Sequence, residues 1–332
     1  MPSFRTGTVT ALLSERPGLQ RVEVDGERAY VLTQLIGPVA VGDRVVLNTT
    51  AVDLDLGTGG WHVVHWNNER EVFEDPGPGH IMKLRYTSLQ VDAGSAEEEG
   101  DPGSTDLEGM PVVVGSLHSQ VPGVAAAIRA AHPTARLAYV MTDGAALPIA
   151  ISDLVHAVTE AGLIDVTITA GHAFGGDLEA VSMPSALALA RHVAHADATI
   201  VAMGPGVVGT SSPLGTTALE VAAILDAASA LGGTPIAILR MSDGDPRARH
   251  QGVSHHSRTA LDLTRASVLV ASPAEGAYAH ERHDVRVVDC PDVPALLADL
   301  GLRITTMGRG PDEDPLFFRA TAAAGALAAQ HL

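Results

Sequence analysis

The sequence predicts an α/β fold: a doubly wound, mostly parallel sheet with a small N-terminal all-β barrel domain. Three observations carry this. From Met110 onward, short runs that are apolar throughout alternate with amphipathic helical segments, the pattern of strands covered by helices on both faces. Before residue 75, apolar and polar residues alternate singly between glycine-bearing turns, which marks half-buried antiparallel strands. Aromatics make up only 3% of a chain that is 46% hydrophobic. The core must therefore use Ala, Val, Leu and Ile, which suits helices packed on a parallel sheet.

Residues 1–75 form the predicted barrel. "RVEV" and "AYVL" flank Asp25-Gly26 and Glu27-Arg28, a hairpin signal. "VAVGDRVVLNTTAVDL" turns at Gly42-Asp43 and continues as a β-branched run, and "GTGGWHVVHW" adds another alternating strand. Gly57, Gly59 and Gly60 suit turn geometry first and close approach of a ligand second. Residues 76–110 read as a crossover segment followed by an acidic flexible linker. Gly79 to Gln90 gathers His80, Lys83, Arg85 and Tyr86, while Asp92 to Gly109 has almost nothing to bury. Residues 111–332 form the α/β domain. Its strands are "VVVGSLHS", "LAYVMTDG", "DVTITAGH", "TIVAMGPG", "PIAILRMSD", "SVLVASP" and "VRVVDC", with helices such as "PIAISDLVHAVTEAG" between them. The final "FFRATAAAGALAAQHL" reads as a helix packed on the body.

Bulk properties narrow the function. A chain of 332 residues buries a large core and suits two domains. A formal net charge of -18, with no basic tract, excludes nucleic acid as the expected partner. Cys290 is the single cysteine, so no internal disulfide or cysteine-rich zinc site forms, which fits a reducing cytoplasm. "MPSFRTGTVT" lacks the charged start and apolar run of a signal peptide. No apolar run approaches the ~18 residues of a membrane helix, so no membrane partner is expected. Homo-oligomerisation is left open, because no interface is legible.

Ligands of open parallel sheets bind beyond the carboxyl ends of the strands. Polar residues collect there: Ser116, His118, Ser119 and Gln120; Thr142, Asp143 and Gly144; His172, Gly175, Gly176 and Asp177; and Ser272. His118, Asp143 and His172 are therefore site candidates. The plainer alternative for each is a packed ring, a helix cap or a turn. His156, His192 and His195 fall within helices and read as surface or core residues.

"GPGVVGTSSPLGTTALE" places Gly204, Gly206 and Gly209 in a G-x-G-x-x-G pattern after a strand. With Thr210 they would bind an anion through backbone N–H groups. Thr210 stands where a phosphate loop has lysine. Pro213 and Gly215 delay the helix, Thr217 and Glu220 read as its capping box, and Asp226 falls mid-helix. An anion-binding loop is preferred, and a nicotinamide-dependent dehydrogenase is a weaker alternative.

"MSDGDPRARHQGVSHHSRTAL" is the densest cluster. Ser254 would cap a helix whose first turn carries His255 and His256. Helix N-terminal N–H groups keep such rings neutral, as a metal ligand or general base must be. Asp245 would supply a hard oxygen ligand or orient a ring, with His250 beside it. Arg247 and Arg249 would grip a phosphate or carboxylate. Neighbouring helical residues point roughly 100° apart. One histidine is thus expected to face the ligand and the other to pack or orient. The plain alternative is an ion-paired loop in which Asp245 satisfies Arg247 or Arg249.

"GPGVVGT", "LGTGG", "GHIMKLRYTSLQ" and the "DPR", "RH" and "GVSHH" of the cluster together resemble an uncharacterised bacterial family of unknown function, DUF3866-like, over nearly the whole chain. Asp245, Arg247, Arg249, His250, Ser254, His255 and His256 match its pattern. Asp243, Gly244, Ser211 and Ser212 depart from it, where the family has an aromatic, an alanine and a Gly-Thr pair. The resemblance implies no activity. The residues themselves point to a hydrolase or group transferase, metal-assisted if a divalent ion is bound, acting on a small anionic metabolite. The alternative is a non-catalytic nucleotide or metabolite sensor.

Overall fold

The structure is a computed structural model that describes residues 2–56, 59–100 and 102–332. Gly57 lies outside the described residues. The chain divides into two units, Met1–Gly94 and Ser95–Leu332.

The first unit holds a closed barrel of five strands: β1 (Phe4–Arg16), β2 (Leu19–Val24), β3 (Glu27–Leu32), β4 (Arg44–Asn48) and β5 (His62–Asn67), in the order β1-β2-β3-β5-β4. The β2–β3 turn works because Asp25 and Gly26 both take positive φ, 49° and 86°, as a two-residue hairpin requires. β1 shifts register twice against β2, and such bulges bend a strand enough to close a barrel. Alternate residues Val22, Val24, Ala29, Val31, Val45 and Leu47 fill the interior. Beyond the barrel, β6 (Met82–Lys83) pairs with β7 (Val91–Asp92). Lys83 is buried there, and Tyr86 is exposed.

The acidic stretch after Gly94 is less free than its composition suggests. Ser95 caps a short helical turn at Ala96–Glu99. Leu107 is fully buried in the core of the second unit, and its N–H donates to Leu231 O at 2.7 Å. Gly109 N donates to Gly232 O at 2.8 Å, Arg191 pairs with Glu108, and Ala96 packs on the same core, so the segment is held at several points.

The second unit is an eight-stranded sheet of β8 (Pro111–Val114), β9 (Leu137–Thr142), β10 (Val166–Ala170), β11 (Leu178–Ala180), β12 (Ala198–Met203), β13 (Thr234–Ile238), β16 (Leu269–Ser272) and β17 (Asp284–Val287). Every neighbouring pair runs parallel, in the order β11-β10-β9-β12-β8-β13-β16-β17. A separate hairpin, β14 (Met241–Ser242) with β15 (Gly252–Val253), follows β13. The main helices are α1 (Val121–Ala131), α2 (Asp153–Glu160), α3 (Met183–His192), α4 (Glu220–Ala230), α5 (His255–Leu263), α6 (Val293–Asp299) and α7 (Pro315–Ala329). One face of the sheet packs α1, α2, α6 and α7, and the other packs α3, α4 and α5. Among the described residues no helix is long and apolar enough to cross a membrane.

The chain leaves β8 toward β9, β10 and β11, then returns to insert β12 between β9 and β8. It next runs outward through β13, β16 and β17. The connections leaving β9 and β12 therefore diverge. That opens a crevice at the carboxyl end of the sheet, where α/β folds place ligands.

Candidate functional site

Arg240, two residues past β13, organises the densest cluster. Its N–H donates to Ser257 Oγ at 2.8 Å, and its carbonyl accepts from Ser254 N at 2.8 Å. These bonds tie the end of the strand to the first turn of α5. The β14–β15 ladder closes the base of the loop between them, so residues 243–251 leave and return at one point. Ser254 is fully buried and caps α5 by accepting from His256 N at 3.2 Å. Its hydroxyl also lies 2.8 Å from His250 Nδ1.

The three rings converge. Centroids of His255 and His256 are 4.3 Å apart, and His250 lies 5.1 Å from the first and 4.9 Å from the second. The two helical rings, expected to divide between facing a ligand and packing or orienting, lie side by side with His250. Helical Cα–Cβ bonds tilt toward the N-terminus, so two first-turn side chains can both reach past the helix end, where the loop delivers His250. His250, His255 and His256 each offer a ligand atom, and these atoms lie within 4.8 Å of one another. Nε2 of His255 and Nε2 of His256 are buried with no hydrogen-bond partner.

All three rings are held neutral. Burial, then the charges of Arg240 and Arg247, pushes His250 down to about 4. Burial and then Arg240 push His256 down to about 3. His255 is lowered by burial, then by Arg249 and Arg240. Arg240 fixes a tautomer as well. Its NH1 lies 3.2 Å from His256 Nδ1, and a guanidinium only donates. Nδ1 therefore accepts, and the neutral ring carries its proton on Nε2.

Asp245 is not a ligand to this cluster. Its Oδ1 accepts from Arg247 N and Nε, both at 2.9 Å, and its Oδ2 accepts from Arg247 NH2 at 2.7 Å. NH2 groups of Arg240 and Arg309 stand 3.7 and 3.6 Å away. Arg247, beside it, holds this carboxyl well below the usual carboxylate range. Asp245 is thus the hub of an ion-paired loop, the plainer of the two roles open to it from sequence. Beneath it, the fully buried Asp314 accepts from Ser242 Oγ at 2.7 Å and Arg309 Nε at 3.0 Å. Sequence reasoning missed Asp314 and Arg309, because they lie some 70 residues away on the approach to α7. Arg249 is exposed at the mouth of the loop.

The glycine loop reaches the same cluster. A Cβ at Gly209 would sit 3.1 Å from His256 Cε1 and Nε2, so a larger residue would press on that ring. Gly206 has φ 105°, which favours glycine, and Gly204 packs on Ala146 O. As an anion cradle the loop is partly self-satisfied. Thr210 N donates to Gly215 O at 2.7 Å, Val208 N to Thr217 Oγ1 at 3.1 Å and Ser212 N to Thr210 Oγ1 at 3.2 Å.

Residues 28–325 match a protein family described only as being of unknown function, DUF3866. The chain belongs to the DUF3866 family. Among curated proteins, none shows a significant match to it.

The remaining candidates of this DUF3866 chain lie at neighbouring strand ends. His118 bonds at both nitrogens, to Tyr139 OH at 3.1 Å and Ser152 Oγ at 2.6 Å. Burial pushes it down to about 4. Asp143, after β9, accepts from His172 N at 3.0 Å, which joins two strand ends and leaves the cap role unused. The capping box expected of Thr217 and Glu220 does not form. Thr216 caps the turn before α4, accepting from Ala218 N at 3.3 Å. Glu220 instead accepts from Thr142 Oγ1 at 2.6 Å, because the delayed helix start carries it over the end of β9. Burial, and then the Asp143 charge, raises Glu220 to about 7 against the pull of Thr142.

Proposed function

We propose that this chain is an enzyme that carries out hydrolysis or group transfer on a small anionic molecule, at the histidine–arginine cluster beyond β13. One observation carries the reading. In a chain of net charge -18, the charges acting most strongly on buried His250 and His256 and half-buried His255 are those of Arg240, Arg247 and Arg249, opposed at His250 alone by the carboxylate of Asp245. A positive, partly dehydrated recess in an acidic protein focuses anions toward it. Arg249, and the edge of Arg247 that Asp245 leaves open, hold the anion. A neutral imidazole, His255 or His256, moves the proton.

The test is turnover of a panel of phosphorylated and carboxylated metabolites, followed by mass spectrometry. Consumption of one class is expected, lost in His255→Ala and in Arg249→Ala while the fold is retained. A wild-type chain that consumes none of them sinks the enzyme reading. A second reading, a sensor that binds without chemistry, is favoured by the His256 tautomer: an Nε2–H donor recognises an oxyanion and needs no reaction. Saturable binding without turnover would select it. The dehydrogenase alternative is not carried forward, because α4 begins only at Glu220 and the glycine loop folds back on itself before it.

A further inference from the structure

We infer that His250, His255 and His256 form a three-imidazole site for a borderline divalent ion such as Zn2+ or Co2+, and that the anion held by the neighbouring arginines completes its coordination. The inference rests on the functional reading above and the same cluster, and it changes one role there: with the ion bound, His255 and His256 act as ligands and not as the proton-moving base.

Two independent observations point to an ion. The three ligand atoms lie within 4.8 Å of one another. His256, only 4% exposed, has an Nε2 with no partner, and buried polar atoms without partners are rare in folded proteins. Ser254 occupies Nδ1 of His250, leaving its Nε2 for the ion, and fixes the ring as outer partners of metal ligands do. Metal–imidazole bonds of about 2.0–2.1 Å place tetrahedral ligand atoms about 3.4 Å apart, so the rings draw in by at most about 1.4 Å.

The donor set selects the ion. It is all nitrogen, since Asp245 is committed to Arg247. Imidazole suits zinc, cobalt, iron and copper, whereas magnesium and calcium need oxygen. Three protein ligands leave a fourth position open.

Charge then links the ion to the anion. Arg240, Arg247 and Arg249 surround the rings and oppose a bare dication. An anion at the fourth position relieves that repulsion, so each ligand tightens the other by the same factor. Arg240 must also release His256 Nδ1, which takes the proton from Nε2 as the ion enters. Its NH2 already stands 3.7 Å from Asp245, the group to which it can turn.

The experiment is a Co2+ titration of chelator-treated full chain, read by the visible absorption of low-coordinate cobalt, with and without inorganic phosphate. The expected result is saturation at one Co2+ per chain, displacement by Zn2+, and no competition from Mg2+. Phosphate should change the band and tighten Co2+ at least several-fold, and Arg249→Ala should abolish that tightening. His255→Gln and His250→Ala should each remove the band, with circular dichroism reporting the fold. A band that survives in folded His255→Gln, or no band in the wild type, overturns the inference. Cobalt binding indifferent to phosphate overturns the linkage. If phosphate binds in an Arg249-dependent way without metal, the ion site falls while the anion reading stands.

Discussion

His118 and His256 follow adjacent strands of one sheet, β8 and β13. Both rings are shielded, and both have lost proton affinity to burial. Their hydrogen bonds are opposite in kind. Tyr139 OH donates to Ala202 O at 3.1 Å, so it accepts from His118 Nδ1–H. Ser152 Oγ accepts from Val155 N at 3.0 Å and spends its proton on His118 Nε2. Every polar atom of that chain is used. His256 has one nitrogen held by a cation that cannot accept, and the other has no hydrogen-bond partner. A depressed histidine is therefore not in itself a sign of function. What separates the two is whether the fold has completed the ring's hydrogen bonding or left it for something else.

The comparison breaks most sharply through substitution. His255→Ala should lower cobalt affinity by at least about 100-fold, since even outer partners of metal ligands are worth 10–100-fold, and should leave urea unfolding little changed, because that ring is only half-buried. His118→Ala should do the reverse. It strands the Tyr139 and Ser152 hydroxyls and opens a cavity, costing about 3 kcal/mol in urea unfolding, with cobalt affinity kept within a few-fold. If His118→Ala also abolishes cobalt binding, the division between a structural and a functional histidine is wrong.

The acid limb of stability sharpens the same contrast. His118 titrates at about 4 in the folded chain and at its ordinary 6.5 when unfolded. Its contribution is complete above pH 6.5 and is lost as pH falls through that window, because the unfolded chain takes up the proton first. That lowering corresponds to about 3 kcal/mol. His118→Asn should flatten the fall in urea midpoint between pH 6.5 and pH 4, and an unchanged slope would mean that other groups dominate it.

Much of this architecture was legible in the chain. Strands buried on both faces show as unbroken apolar runs, so six of the eight sheet strands were readable, and the β-branched run of the exposed edge strand β17 gave a seventh, with the C-terminal helix. β11 was not, because Leu178–Ala180 is too short to show a period. At the site, Ser254 as cap and the His255–His256 pair follow from local sequence. Their convergence with His250 does not, since it depends on the β14–β15 ladder returning the loop to its start. Asp245 illustrates the limit most plainly. A carboxylate between arginines reads equally as ligand or ion-pair partner, and only the two-pronged grip of Arg247, with Arg240 and Arg309 behind it, decides it. Glu220 was hidden for a related reason: a Thr-x-x-Glu spacing looks like a cap, and the fold spends the glutamate on Thr142.

A control away from both histidines comes from the α1–α7 contact. A Cβ at Gly325 would lie 2.5 Å from Val124 O and 2.6 Å from Ala127 Cβ. Gly325→Ala should therefore force the helices apart and destabilise the chain by about 2 kcal/mol, despite the better helix propensity of alanine. Cobalt affinity should be unmoved. An equal or higher melting temperature would show that the contact can relax without cost.

The smallest effect expected is at Glu220. Its carboxyl moves from an ordinary 4.5 to about 7 in the folded chain, so the sign is opposite to that of His118. The contribution is present below pH 4.5 and is lost as pH rises through 7, because folding then holds a charge that burial disfavours. Glu220→Gln keeps a carbonyl to accept from Thr142 and removes that charge. It should stabilise the chain at pH 8 by about 1–2 kcal/mol, the full shift being discounted for partial exposure, and do nothing at pH 4.5. If Glu220→Gln instead abolishes turnover at every pH while cobalt still binds, the crevice between β9 and β12 takes part in the chemistry, and the histidine cluster does not work alone.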